Sequence, residues 1–299
     1  MRVLSVDGGG VRGVVPSAVL AYWENELKFE SPDRFDRFAG TSTGAMVAAA
    51  LALGLSGRRI LMLFQDHAGE IFTHEGKKFA ERALSFKGWA IPAYSQDVMR
   101  DILTTAFGDA TMGDCPKPLS VPATDVMSGA PKVFRSSSAE DAKVRVVDVV
   151  IASTAAPTFF PSVQVAGSTY VDGALWANNP TMIAMLDARD GLGHSSFDEL
   201  AVVSLGCGRP YWGRPSGFGE RRGLLGWGAP LISLMMANQA QGVHDYAARL
   251  LSADRYLRVD PLIRASLAGL DEVDNIPDLL IAAAEEAREK MEAFGALYK

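Results

Sequence analysis

Phe38-Ala39-Gly40-Thr41-Ser42-Thr43-Gly44-Ala45-Met46-Val47-Ala48 reads in three parts: a short strand, a tight turn, and a helix of small residues. The turn matches G-x-S-x-G, the pattern in which a serine stands on a sharp strand-to-helix corner with its hydroxyl clear of the backbone. Gly40 and Gly44 suit the corner because only small residues tolerate the close approach of backbones there. The following helix turns its N-terminal dipole towards the serine, where a developing negative charge would be stabilised.

Upstream, Arg2 to Asp7 reads as a strand that runs into Asp7-Gly8-Gly9-Gly10-Val11-Arg12-Gly13. Successive glycines let amide N–H groups converge on an anion or oxyanion. Gly8-x-Gly10-x-x-Gly13 also fits a dinucleotide fingerprint, but that reading requires an acid at the end of a second strand about twenty residues on. Glu24 and Glu26 fall in an expected helix instead. Downstream, Tyr170-Val171-Asp172-Gly173-Ala174 reads as a strand ending in an acid beside a glycine turn.

Strand and helix signals alternate, which favours a three-layer α/β/α fold with a mostly parallel central sheet. Expected helices cover 16–27, 43 onwards, 57–65 (with Ser56 as N-cap), 95–107, 144–153, 229–251 and 276–296. The last carries Leu280, Ala284, Ala287, Met291 and Phe294 along one stripe. Leu119–Val126 reads as a strand, and Val163–Val165 with Thr169–Val171 as a hairpin around Gly167. Leu200–Leu205 is a continuous apolar run, as in a parallel strand covered on both faces. No linker divides the 299 residues, so one domain is expected, with the motifs in 1–180 and a helical part in 229–299.

Gly206 to Gly228 departs from either periodicity. It holds eight glycines, the arginines 209, 214, 221 and 222, and the aromatics Tyr211, Trp212, Phe218 and Trp227. A loop this long suggests a lid or binding loop.

The composition is that of a soluble protein with a full core: 48% hydrophobic and 21% charged residues. A net charge of −6 argues against a nucleic-acid polymer as partner and against simple adhesion to anionic membranes. Met1-Arg2 leads directly into a strand with no leader-like segment, and Ala45–Leu55 is too short to span a bilayer. Cytoplasmic placement is expected, with peripheral membrane contact left open. Cys115 and Cys207 are too few for a disulfide framework. No H-E-x-x-H or similar cluster suggests a metal; Asp97, Asp101 and Asp109 read as solvated helix faces.

The glycine loop, the serine pentapeptide and the Asp-Gly-Ala turn, in this order, resemble the patatin-like phospholipase family. The resemblance runs from residue 1 to Asn179-Pro180 and extends to Ala237–Ala240 and Arg255–Arg258; Ala155–Pro161 matches a recurrent segment of that family. It implies a Ser42–Asp172 dyad without metal or cofactor, and an oxyanion hole from the amides of Gly9, Gly10 and Thr43. Arg12 would either steady the loop or attract a phosphate. The histidines His67, His74, His194 and His244 lie in no motif and read as structural or solvated. The implied activity is lipid acyl ester hydrolysis of the phospholipase A or lysophospholipase type. Phe159, Phe160, Pro161 and Trp176 are candidate walls of an acyl pocket, and Trp212 and Trp227 candidate interfacial groups. Non-lipid ester hydrolysis or transacylation by the same dyad is the alternative. So is a nucleotide-activated phospholipase effector of bacterial anti-phage signalling, with the arginine-rich loop as a phosphate site.

Overall fold

The computed structural model describes residues 1–73, 94–193, 196–211 and 224–297. Its centre is β1 (Arg2–Val6), flanked in parallel by β2 (Arg37–Gly40) and β7 (Ala201–Leu205). β7 pairs in parallel with β9 (Tyr256–Val259) on its far side, so its apolar run has neighbours on both edges and helices on both faces. β3 (Leu119–Asp125) follows β2 in parallel. The hairpin β5 (Val163–Val165) and β6 (Ser168–Asp172) and the strand β4 (Ala130–Arg135) join antiparallel. β4 lacks a strong alternation, with Ala130 and Pro131 exposed, which hides it in the sequence.

The period-two alternation of side chains builds the three layers. Leu4, Val6, Phe38 and Val203 pack into one core beneath α1 (Val14–Leu27), α2 (Thr43–Ala52), α3 (Gly57–Thr73), α4 (Asp97–Phe107) and α5 (Val146–Ser153). Val3, Ala39 and Val202 face the other way, against α6 (Thr181–Leu192) and α7 (Leu224–Leu250). The expected α/β/α architecture with a mostly parallel sheet is therefore present.

Two expectations are corrected. In α8 (Ile276–Leu297) the buried stripe is Leu279, Ala283, Ala287 and Phe294; Ala284 is exposed, and Leu280 and Met291 lie at its flanks. The rotation is set by α1. Trp23 stacks on Phe294 with centroids 4.0 Å apart and donates its indole N–H to the Ala287 carbonyl at 2.8 Å. The irregular stretch is also shorter than expected. Its first residues form β8 (Arg209–Tyr211), parallel to β10 (Leu262–Arg264), and α7 begins at Leu224. Gly226, Gly228 and Pro230 lower helix propensity there and conceal the true start. Trp212, Arg214, Phe218, Arg221 and Arg222 lie outside the described residues.

Candidate active site

The serine corner is strained and braced. Ser42 adopts φ 55° and ψ −126°, a region that costs a non-glycine residue roughly 1–3 kcal/mol. Its amide donates to Ser153 Oγ at 3.0 Å, and that hydroxyl donates to the Pro122 carbonyl at 2.7 Å. Thr41 Oγ1 donates to the Ala177 carbonyl at 2.6 Å. The flanking glycines are steric necessities. A Cβ on Gly40 would stand 2.0 Å from the Gly44 carbonyl oxygen, and one on Gly44 would stand 2.3 Å from that of Val6.

Sheet topology brings Asp172 to this corner. Ser120 of β3 pairs with both Arg135 of β4 and Ala39 of β2, and Ala123 pairs with both Lys132 of β4 and Asp172 of β6. Since β4 occupies one edge of β3, β2 and β6 share the other. They approach from opposite directions, so the C-terminal end of β6 meets the corner that follows β2. Gly173 permits the close fit, because a Cβ there would lie 2.3 Å from the Pro122 carbonyl oxygen.

The result is a hydrogen bond of 2.7 Å from Ser42 Oγ to Asp172 Oδ2. Asp172 Oδ1 accepts the Ala174 amide at 2.8 Å. Asp172 is buried, and burial pushes its carboxyl up to about 7, against the pull of the Ala174 amide and the Ser42 hydroxyl. Its proton is thus exchangeable near neutrality, as a general base requires. Neither histidine at a described position hydrogen-bonds to Ser42 or Asp172. His67 lies 3.4 Å from Glu70, and His244 Nδ1 lies 3.0 Å from the Tyr256 hydroxyl. His74 and His194 lie outside the described residues.

The glycine loop sits beside the serine. Gly8 and Val11 donate their amides to the carbonyls of Asn178 (3.0 Å) and Leu270 (2.8 Å). Gly10 has φ +60°, and a Cβ there would lie 2.1 Å from the Leu270 oxygen. The Gly9 amide donates to Thr43 Oγ1 at 3.2 Å. Gly10 and Thr43 border the same cleft as Ser42 and Asp172, and their amides have no acceptor among the described residues. Arg12 is buried and donates to the carbonyls of Gly208 (3.0 Å) and Gly9 (3.4 Å). Of its two expected roles, bracing the loop is the one its contacts serve. Gly13 lies against the Phe64 ring.

Asp7 anchors the loop from behind. Its two oxygens accept from Arg258 at 3.0 and 2.6 Å, and the same guanidinium reaches Asp260 (2.9 Å) and Ser204 Oγ (2.8 Å). Burial pushes Asp7 up to about 6, while Arg258 opposes the shift. Held between two carboxylates, Arg258 stays firmly charged. Ser153, Asn178 and Asp260 are support residues that the motifs do not reveal, and Arg258 lies in the Arg255–Arg258 segment of the resemblance, which assigns it no role. The usable signal for Arg258 is pairing: β9 beside β7 puts it opposite Ser204.

A cleft of about 140 Å³ opens onto the pair, walled by Phe72, Met99, Phe159, Phe160, Leu175, Ile232, Met236 and Leu270 among others. Phe159 and Phe160 thus stand where expected, but Trp176 and Pro161 do not line it. Trp176 is tied by its indole N–H to the Ala123 carbonyl at 3.0 Å, and Pro161 is exposed. Leu175 takes the expected place of Trp176.

The family model for patatin-like phospholipases matches residues 4–185. Patatin-like protein 1 of Arabidopsis thaliana is 27% identical, over 87% of this chain and 74% of its own length. A cGAMP-activated phospholipase of Escherichia coli (strain TW11681) is 30% identical, over 93% of this chain and 85% of its own. Among solved structures, VipD from Legionella pneumophila aligns with 94% of this chain and 67% of that chain, at 14% identity and a TM-score of 0.43.

Proposed function

The chain belongs to the patatin-like phospholipase family, and from that premise we propose that it is a lipid acyl hydrolase of the phospholipase A or lysophospholipase type, with Ser42 as nucleophile and Asp172 as its base. The observation that carries this reading is the 2.7 Å bond from Ser42 Oγ to a buried carboxylate pushed up to about 7.

Asp172 takes the hydroxyl proton as Ser42 Oγ attacks the ester carbonyl carbon. The negative charge on the carbonyl oxygen is met by the amides of Gly10 and Thr43, and by that of Gly9 when it leaves Thr43 Oγ1. Each such donor is worth roughly 3 kcal/mol in comparable sites. On collapse the carbon–oxygen bond to the alcohol breaks, and Asp172 returns the proton to the departing alkoxide. Asp172 then deprotonates a water that attacks the acyl-serine, and the fatty acid leaves as Ser42 regains its proton. The strained corner and its Ser153 brace hold Oγ in place throughout, so little reorganisation is needed at the moment of attack.

No helix among the described residues is long and apolar enough to cross a membrane. Leu175 and Ile232 at the cleft are exposed, which supports peripheral contact with a lipid surface. The likeness to cGAMP-activated phospholipases favours a second reading, in which a cyclic nucleotide raises the activity. Mass spectrometry of phospholipids incubated with wild type and Ser42→Ala, with and without cyclic dinucleotides, tests both. Fatty acid release by wild type alone is expected. Equal release by Ser42→Ala contradicts the first reading, and indifference to nucleotide contradicts the second.

A further inference from the structure

A second cavity, of about 50 Å³, shares Thr43, Phe72 and Met99 with the cleft that holds Ser42. It lies between α2, α3 and α4, where Met46, Ala50, Ile60, Leu103 and Ala106 form hydrocarbon walls. Two polar side chains border it. The Thr43 hydroxyl is already turned to the Gly9 amide, and His67 is half-buried beside Glu70. Ala50 and Ala106 create the space, since a larger side chain at either would fill it. Apolar walls of this kind favour hydrocarbon over a polar group.

We infer that this cavity receives the far end of the substrate's acyl chain, a conclusion that rests on Ser42 and Asp172 being the catalytic pair. The carbon attacked by Ser42 carries two substituents, the acyl chain and the alcohol. A polar head placed among these walls would lose its hydration and meet only His67 and the Thr43 hydroxyl as polar neighbours, whereas the mouth beside the exposed Leu175 and Ile232 leaves it in water. The acyl chain loses nothing by entering. Short chains end in the first cleft. Longer chains pass Met99 and Phe72, and the flexible thioether of Met99 makes that constriction adjustable. Each additional buried methylene is worth about fourfold in affinity, so the second cavity sets a preference for chain length.

Ala106→Phe and Ile102→Trp both narrow the cavity from α4, at half-buried positions away from the reacting atoms. The readout is kcat/KM for p-nitrophenyl decanoate relative to p-nitrophenyl butyrate, beside a series of alkyl butyrates of increasing alcohol length. The expected result is a fall of about tenfold or more in the decanoate-to-butyrate ratio in whichever of the two folds, with the alcohol-length series keeping its wild-type ratios. An unchanged acyl ratio, or a shift in the alcohol series instead, overturns the assignment. Failure of the underlying dyad would look different: Ser42→Ala would then hydrolyse butyrate as fast as wild type.

Discussion

Asp7 and Asp172 are both buried aspartates at the ends of sheet strands, yet they keep different company. Asp7 faces Arg258 through two hydrogen bonds, inside a cluster that includes Asp260 and Ser204. Among the described residues, the Asp172 carboxylate meets only a serine hydroxyl and one amide, with no cation bonded to it. Burial penalises both charges, pushing Asp7 to about 6 and Asp172 to about 7. A carboxylate with a cation fixes geometry. One without a cation, close to neutrality and bonded to a hydroxyl, is equipped to exchange a proton.

The sharpest break of this contrast is Asp172→Asn. The side-chain oxygen can still accept the Ala174 amide and the new amide can donate to Ser42 Oγ, so the fold should persist while the base is gone. A fall in kcat of about 10³-fold or more is expected, with an unchanged circular dichroism spectrum; normal turnover would remove Asp172 from the mechanism. Asp7→Asn should act more mildly, because it loosens the glycine loop and leaves the proton acceptor in place. About 10- to 100-fold in kcat with little change in KM is expected. Steady-state kinetics with fluorophosphonate labelling checks this, since labelling should survive.

Stability offers a smaller, opposite effect. A carboxyl raised in the folded state binds its proton more tightly there than in the unfolded chain, so the wild type loses stability as pH rises from about 4 to about 7. Asp172→Asn escapes that loss. Its melting temperature should exceed that of wild type at pH 8, by the equivalent of at most about 4 kcal/mol, with the gap closing as pH falls towards 4. A gap independent of pH would mean that Asp172 is not the perturbed group. The smallest effect is expected at His244, whose ring is occupied by Tyr256. His244→Gln should stay within about twofold of wild-type kcat/KM, well under the 1.4 kcal/mol of a tenfold change, and a loss as deep as at Ser42 would replace the dyad with a triad.

Local chemistry was legible in the sequence wherever backbone crowding dictated it. Gly40 and Gly44 announced the corner because no larger residue fits, and Leu200–Leu205 announced a doubly covered strand. Long-range register was not legible. Nothing local to Asp172 says that β6 shares an edge of β3 with β2, although that sharing is what delivers the carboxylate to Ser42. Ser153 and Arg258 act across 111 and 251 residues of sequence, so no local pattern shows what they touch. The rotation of α8 and the substitution of Leu175 for Trp176 in the cleft depend on single anchors, the Trp23 indole and the Trp176 indole. Both became visible only once their acceptors were placed.

The central claim is that Asp172 receives the Ser42 proton, and the rate of Ser42 labelling by a fluorophosphonate as a function of pH tests it most directly. Wild type should show a rise with a single inflection near 7, while Asp172→Asn should be slow and flat across the same range. A variant that keeps the wild-type rate and inflection would contradict the account.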